Sequence, residues 1–281
     1  MDFFQEALRI AREEGKIDPG LIPWEKPAPA AGKKKRSITD TIKLSPYLGK
    51  LSDQVIDDFK KTIENIRIEA QSRSLHVIGI SSAVGGQGTT TFTAILALMM
   101  AAIEQTNLSQ VNEKDIKAIM GGDVPKPGVL LIDAQLRFPA LHYKFEVLNR
   151  GGLTGILEKE IPFVKGIRKI NDTGLMFINT GDTANFHLAP KHLEKLKHYL
   201  DILKTKIQYV LLDIPPLLEY AEGITLSKLC DGLILVIEAG ETRWEVVQQA
   251  RRLLERAQVD LIGGVLNRRK YYISNWAYKK L

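Results

Sequence analysis

From Ser52 to Ser72, apolar residues recur at helical spacing. Val55, Ile56, Phe59, Ile63, Ile66 and Ala70 share one stripe, which predicts a helix with one face on a core. Beyond it the pattern changes. Short, almost wholly apolar runs at 75–80, 129–132, 175–178, 209–212, 233–237 and 261–266 alternate with segments of helical character at 90–104, 138–149, 190–206, 219–230 and 241–257. A strand without polar positions is covered on both sides. The alternation therefore predicts an α/β fold: a doubly wound, mainly parallel sheet with helices on both faces. Ligands of such sheets gather at the carboxyl ends of the strands.

The two ends of the chain depart from this rhythm. Residues 1–15 carry a short amphipathic stripe of Phe4, Ala7, Leu8 and Ala11, with Asp2 as a cap and Gly15 as a stop. Residues 16–48 hold prolines at 19, 23, 27 and 29 and the run Lys33-Lys34-Lys35-Arg36, with no period that could bury a face, and read as a flexible linker. The patterned domain spans 49–270, and a tyrosine-containing tail follows at 271–281. Within the domain, a polar interruption at 106–127 has no assigned purpose.

Composition narrows the class. With 281 residues, 44% hydrophobic and 26% charged, the chain has material for one large α/β domain plus tails. The apolar run Ala94–Ile103 is about half the length that spans a bilayer, no cleavable leader opens the chain, and the single Cys230 rules out an intramolecular disulfide. These features predict a protein of a reducing, cytoplasmic compartment. The net charge of +6 favours an acidic partner, although Arg268-Arg269-Lys270 and the run at 33–36 also read as solvated tail and linker.

The candidate chemistry begins after the first apolar run, in Ser81-Ser82-Ala83-Val84-Gly85-Gly86-Gln87-Gly88-Thr89-Thr90-Thr91. Strand, glycine loop and helix in this order let Gly85, Gly86 and Gly88 turn successive N–H groups into one concavity, to which the helix adds its positive end. A phosphate loop carries Lys before its hydroxyl residue, and here that position is Thr89. A lost charge-assisted hydrogen bond lowers affinity about ten- to a hundredfold. A lost transition-state donor slows catalysis by about 10²–10³-fold. Binding should survive the change better than phosphoryl transfer.

Two carboxylates close apolar strands, Asp133 after Val129–Ile132 and Asp213 after Tyr209–Leu212. Either alone could cap the next segment. Together, beside a glycine loop, they form with Thr90 a candidate magnesium pocket.

From about Phe59 to Arg268 the chain resembles the bacterial tyrosine kinases of capsular and exopolysaccharide synthesis, relatives of the deviant-Walker partition and division-site ATPases. The resemblance is carried by the loop, by Leu130-Leu131-Ile132-Asp133-Ala134-Gln135-Leu136-Arg137, by Leu211-Leu212-Asp213-Ile214-Pro215-Pro216, by Ser227–Val236 with Ala239-Gly240, and by Val265-Leu266-Asn267-Arg268. It implies a P-loop NTPase-like fold and the cofactors ATP or ADP with magnesium. It also implies site roles. Gly85, Gly86, Gly88, Thr89, Thr90 and Thr91 would form the phosphate cradle, with Thr90 and Asp213 on magnesium. Asp133 and Arg137 would be catalytic, and Asn267 would lie against the adenine.

The chain departs from the family at the loop Lys (Thr89), at a second acid (Gln135) and at an extra signature Lys (Val84). The helical Glu-x-x-Arg-x-x-Arg pattern that supports ring assembly falls on Asp57, Lys60 and Ile63, so any homo-oligomer has an altered assembly motif. In the tail, Tyr271, Tyr272 and Tyr278 are the candidate phosphoacceptors. A Tyr-Tyr pair just past a last strand can equally pack on the sheet edge.

The expectation is a degenerate kinase-like P-loop protein with weak or no phosphoryl transfer. It would act in exopolysaccharide or capsule assembly and export, peripheral to the inner face of the membrane. Its partner would be a polysaccharide co-polymerase (a chain-length-regulator membrane protein) or another export subunit. The alternatives are an active tyrosine autokinase and a partition-type nucleotide- and DNA-binding module. The last is disfavoured because the chain has no recognised DNA-reading element.

Overall fold

Helix α1 (Asp53–Arg73) starts where Ser52 accepts a hydrogen bond from the Val55 amide at 3.4 Å, and it stops at Ser74, whose φ of 54° is left-handed. This computed structural model describes residues 51–108, 128–170 and 173–269. The stripe predicted for α1 is its core face. Ile56, Ile63, Ile66 and Ala70 are buried, and the Phe59 ring stacks on Phe92 with centroids 5.2 Å apart.

The chain then lays down β1 (Val77–Ser82), α2 (Thr89–Leu108), β2 (Val129–Asp133), the short helices α3 (Leu141–Lys144), α4 (Gly152–Leu157) and α5 (Phe163–Gly166), β3 (Arg168–Lys169) and β4 (Leu175–Ile178). It continues with α6 (Pro190–Lys204), β5 (Tyr209–Asp213), α7 (Ala221–Ser227), β6 (Gly232–Glu238), α8 (Trp244–Arg256) and β7 (Leu261–Asn267). Seven strands form one sheet in the order β3-β4-β2-β5-β1-β6-β7. All neighbours are parallel except β3 and β4.

Alternate residues of the inner strands feed two separate cores, whereas the edge strand β7 is only partly covered, with Leu266 63% exposed. Ile78, Ile80, Leu131, Leu211 and Val236 face α1 and α2. Val77, Leu130, Ile132, Leu212 and Leu235 lie in the other core, with α4, α6, α7 and α8. This is the doubly wound arrangement expected from strands with no polar side. Helix α2 is apolar almost all round, and it is buried accordingly from Ala94 to Ala102.

The amino end of the sheet is pinned by Asp231. Its carboxylate accepts from the amides of His76 (2.9 Å) and Val77 (2.8 Å) and pairs with Lys204 at 2.6 Å. Burial works against this charge, but the Lys204 and backbone contacts outweigh it and hold the carboxyl below its ordinary value. Next to it, the Cys230 sulfur is enclosed: a Cβ on Gly79 would stand 2.9 Å from it. Burial first, and then the Asp231 charge, pushes this thiol up well beyond its ordinary value.

Three expectations need correction. The first strand begins at Val77, because Leu75 still donates to Ala70 as the cap of α1. The helix expected at 138–149 shrinks to Leu141–Lys144, since Glu146 takes a left-handed φ of 53° and ends it. The helix expected at 219–230 is the shorter α7. The stripe at 1–15, the linker, almost all of 106–127, and Tyr271, Tyr272 and Tyr278 lie outside the described residues. Among the described residues no helix is long and apolar enough to cross a membrane.

Candidate nucleotide-binding site

β1 lies between β5 and β6, and its end runs directly into the glycine loop, which places that loop at the centre of the carboxyl edge. Gly86 and Gly88 take φ values of 82° and 79°, a region closed to most side chains. At Gly88 a second constraint applies, because a Cβ would stand 2.5 Å from Asn267 Nδ2. Helix α2 starts at Thr89, so the unpaired N–H groups of its first turn, Thr90 and Thr91 among them, border the loop. Asn267, at the end of β7, donates to the Gln87 carbonyl at 2.9 Å, and Gln87 Nε2 donates to Thr242 at 2.5 Å. Both contacts brace the loop from the β7 side.

Thr89, in the lysine's place, is 8% exposed, and its hydroxyl has no protein partner. The loop therefore holds a buried neutral group where a cation is expected. It also holds a carboxylate that the sequence did not announce: the Gly85 amide donates to Glu219 Oε1 at 2.8 Å. Glu219 lies 134 residues further along the chain, beyond β5, and no spacing rule links it to the loop.

On the other side, Asp133 and Asp213 stand side by side. They are paired in register across β2 and β5, and both are fully buried. Asp133 Oδ1 accepts from the Gln135 amide at 3.1 Å, whereas its Oδ2 and both Asp213 oxygens have no protein hydrogen bond. Burial pushes the Asp133 carboxyl up to about 7, despite opposing polar contacts from Thr180 and the Gln135 and Leu141 amides. Asp213 is also raised, by burial first and then by the Asp133 charge; the nearby Thr90 and Thr93 hydroxyls oppose the rise without closing well-formed hydrogen bonds to it.

Two adjacent, fully buried carboxylates with orphaned oxygens fit a hard divalent cation. Among the described residues no cluster of three or more His, Cys, Asp or Glu could hold a metal. The ion would thus rest on Asp133, Asp213 and the Thr90 hydroxyl, completed by water or phosphate oxygens, which suits magnesium. Gln135 is buried beside them with its Oε1 unpartnered, so the position of the missing second acid is neutral.

Arg137 is half-exposed. It forms an ion pair with Glu222 and lies over the Tyr220 ring, 5.7 Å from its centroid. Tyr220 and Glu222, like Glu219, follow β5 and had no signal in the sequence. On α1, Asp57 and Lys60 pair at 3.0 Å, and Ile63 is buried in the core, so the third position of the assembly pattern serves packing.

Fold and site thus define an α/β domain of the P-loop kind, with a glycine cradle and a carboxylate pair on neighbouring strands. No family model matches the chain. It is 28% identical to the tyrosine-protein kinase YwqD of Bacillus subtilis over 218 residues, 76% of this chain and 81% of that protein. It is 24% identical to the tyrosine-protein kinase CpsD of Streptococcus agalactiae over 222 residues, 77% of this chain and 86% of that one. Among solved structures, the VpsO kinase domain superposes with a TM-score of 0.56 at 25% identity, covering 78% of this chain and 98% of that one. The chimerical protein CapA2B2 gives 0.58 at 22% identity, covering 76% and 85%. The MinC:MinD cell division protein complex of Aquifex aeolicus gives 0.51 at 22%, covering 73% and 72%, and shares the fold. The chain is a relative of the bacterial tyrosine-protein kinases, with the P-loop NTPase-like sheet expected of them.

Proposed function

We propose that this chain binds ATP or ADP with magnesium at the carboxyl edge of its sheet and transfers phosphoryl groups weakly or not at all. It serves capsule or exopolysaccharide assembly as a kinase-like subunit beside a membrane partner of the co-polymerase type. In this reading the amides of Gly85, Gly86 and Gly88 and the first turn of α2 cradle the phosphates. Thr90, Asp213 and Asp133 hold the cation, and Asn267 borders the base. The magnesium ion would supply charge neutralisation between phosphate oxygens. The chain's own groups orient and bind.

The observation that carries the reading is Thr89. The cradle keeps its backbone shape, but a buried hydroxyl without a partner stands where a lysine would meet the phosphates. Purified protein with ATP and magnesium should give little phosphotyrosine. Robust autophosphorylation that Asp133→Asn abolishes would overturn the reading. Thr89→Lys should tighten nucleotide binding by about ten- to a hundredfold, measured by calorimetry.

A further inference from the structure

The loop glycines meet three different environments. A Cβ on Gly85 would face the Glu219 carboxylate at 3.2 Å, one on Gly86 would meet nothing within 4 Å, and one on Gly88 would face the Arg268 guanidinium, 3.5 Å from Nε and 3.7 Å from Nη2. A cation therefore overhangs the cradle from the β7 side. Its position is built by the backbone. Asn267 ties the end of β7 to the loop through the Gln87 carbonyl. Asn267 Oδ1 then accepts from the Arg268 amide at 2.9 Å, and Arg268 adopts a left-handed φ of 55°, which turns the chain at this point.

The guanidinium is not committed to a buried network. It is 54% exposed and pairs with Glu238 at 2.9 Å, an exposed-type ion pair that a stronger anion can displace. Arg offers five donors in a planar fork suited to phosphate. We propose that Arg268 replaces the missing loop lysine as the cation that meets the nucleotide's phosphates, with Glu238 holding it in place until the ligand arrives. The inference rests on the nucleotide-binding reading above and assigns its positive charge.

The test is calorimetric titration of the full chain with ATP and magnesium, and separately with adenosine, for wild type, Arg268→Ala, Arg268→Lys, Thr89→Lys and the double variant Thr89→Lys/Arg268→Ala. Arg268→Ala should weaken ATP by about ten- to a hundredfold and leave adenosine unchanged, with Arg268→Lys in between. The gain from Thr89→Lys should be larger in the Arg268→Ala background than in wild type, because two groups serving one ligand charge are not additive. The salt dependence of ATP binding should also become shallower in Arg268→Ala. Wild-type ATP affinity in Arg268→Ala, or equal losses for ATP and adenosine, would overturn the assignment while leaving nucleotide binding intact. Absence of ATP binding by the wild type and by Thr89→Lys would overturn the nucleotide reading itself, and this inference with it.

Discussion

The two sides of the strand-end cleft differ in charge and in how they are built. On the β2 and β5 side, two buried carboxylates stand in register with three oxygens unpartnered between them. On the β1 side, a glycine loop offers backbone N–H groups, but its lysine position is Thr89 and one amide is taken by Glu219. The first side offers two carboxylates to a cation; in the second the loop keeps its shape without a cation of its own. Backbone concavity follows from glycine and strand order and is distributed over many residues. A positive charge rests on one side chain and can disappear in a single substitution.

pH tests the carboxylate side with the largest expected effect. In the cation-free fold Asp133 keeps its proton up to about 7, whereas an unfolded chain releases it near 3.8. The folded state therefore binds the extra proton in that window, so this group's contribution to stability is fully present below about pH 4 and is lost as pH rises to about 7. Asp133→Asn removes this group's titration and the part of the Asp213 shift that the Asp133 charge causes. Its unfolding free energy relative to wild type, from urea melts without divalent ions, should rise by up to about 4 kcal/mol between pH 4 and 7. A pH-independent difference would show that the pair is not a strained anion site.

Next in size is the cation itself. Asp213→Asn should reduce magnesium-dependent tightening of nucleotide binding by about a hundredfold, judged by titrations with and without the ion, given that even supporting residues of metal sites change affinity 10–100-fold. Binding that stays equally magnesium-dependent would move the cation elsewhere.

The smallest effect belongs to the loop carboxylate. Glu219→Gln removes a charge that competes for the Gly85 amide but leaves an acceptor. It should tighten ATP a fewfold and adenosine not at all, because the group is exposed and screened. Unchanged ATP affinity would make Glu219 a spectator.

Much of this was legible in the chain. The apolar runs marked the six principal strands; five are covered on both faces and tolerate no polar alternation, whereas the edge strand β7 is apolar yet only partly covered. The glycine spacing and the two strand-end Asp residues marked the cleft. Two-residue β3 and the short helices α4 and α5 were missed because they are too brief to show a period. Glu219, Glu222 and the placement of Arg268 over Gly88 were missed because each depends on chain crossings that bring distant residues together. Helix α3 was overextended because its residues have helical character, while the backbone turn at Glu146 is invisible in hydropathy.

The enclosure of the Cys230 sulfur beneath Gly79 has a practical outcome. A thiol with so little thiolate at neutral pH reacts slowly with maleimides or iodoacetamides. Because it is the chain's single cysteine, a second one introduced at exposed Phe138 would take a fluorophore or spin label almost alone. Motions around the cleft then become measurable by spectroscopy without first replacing the native cysteine.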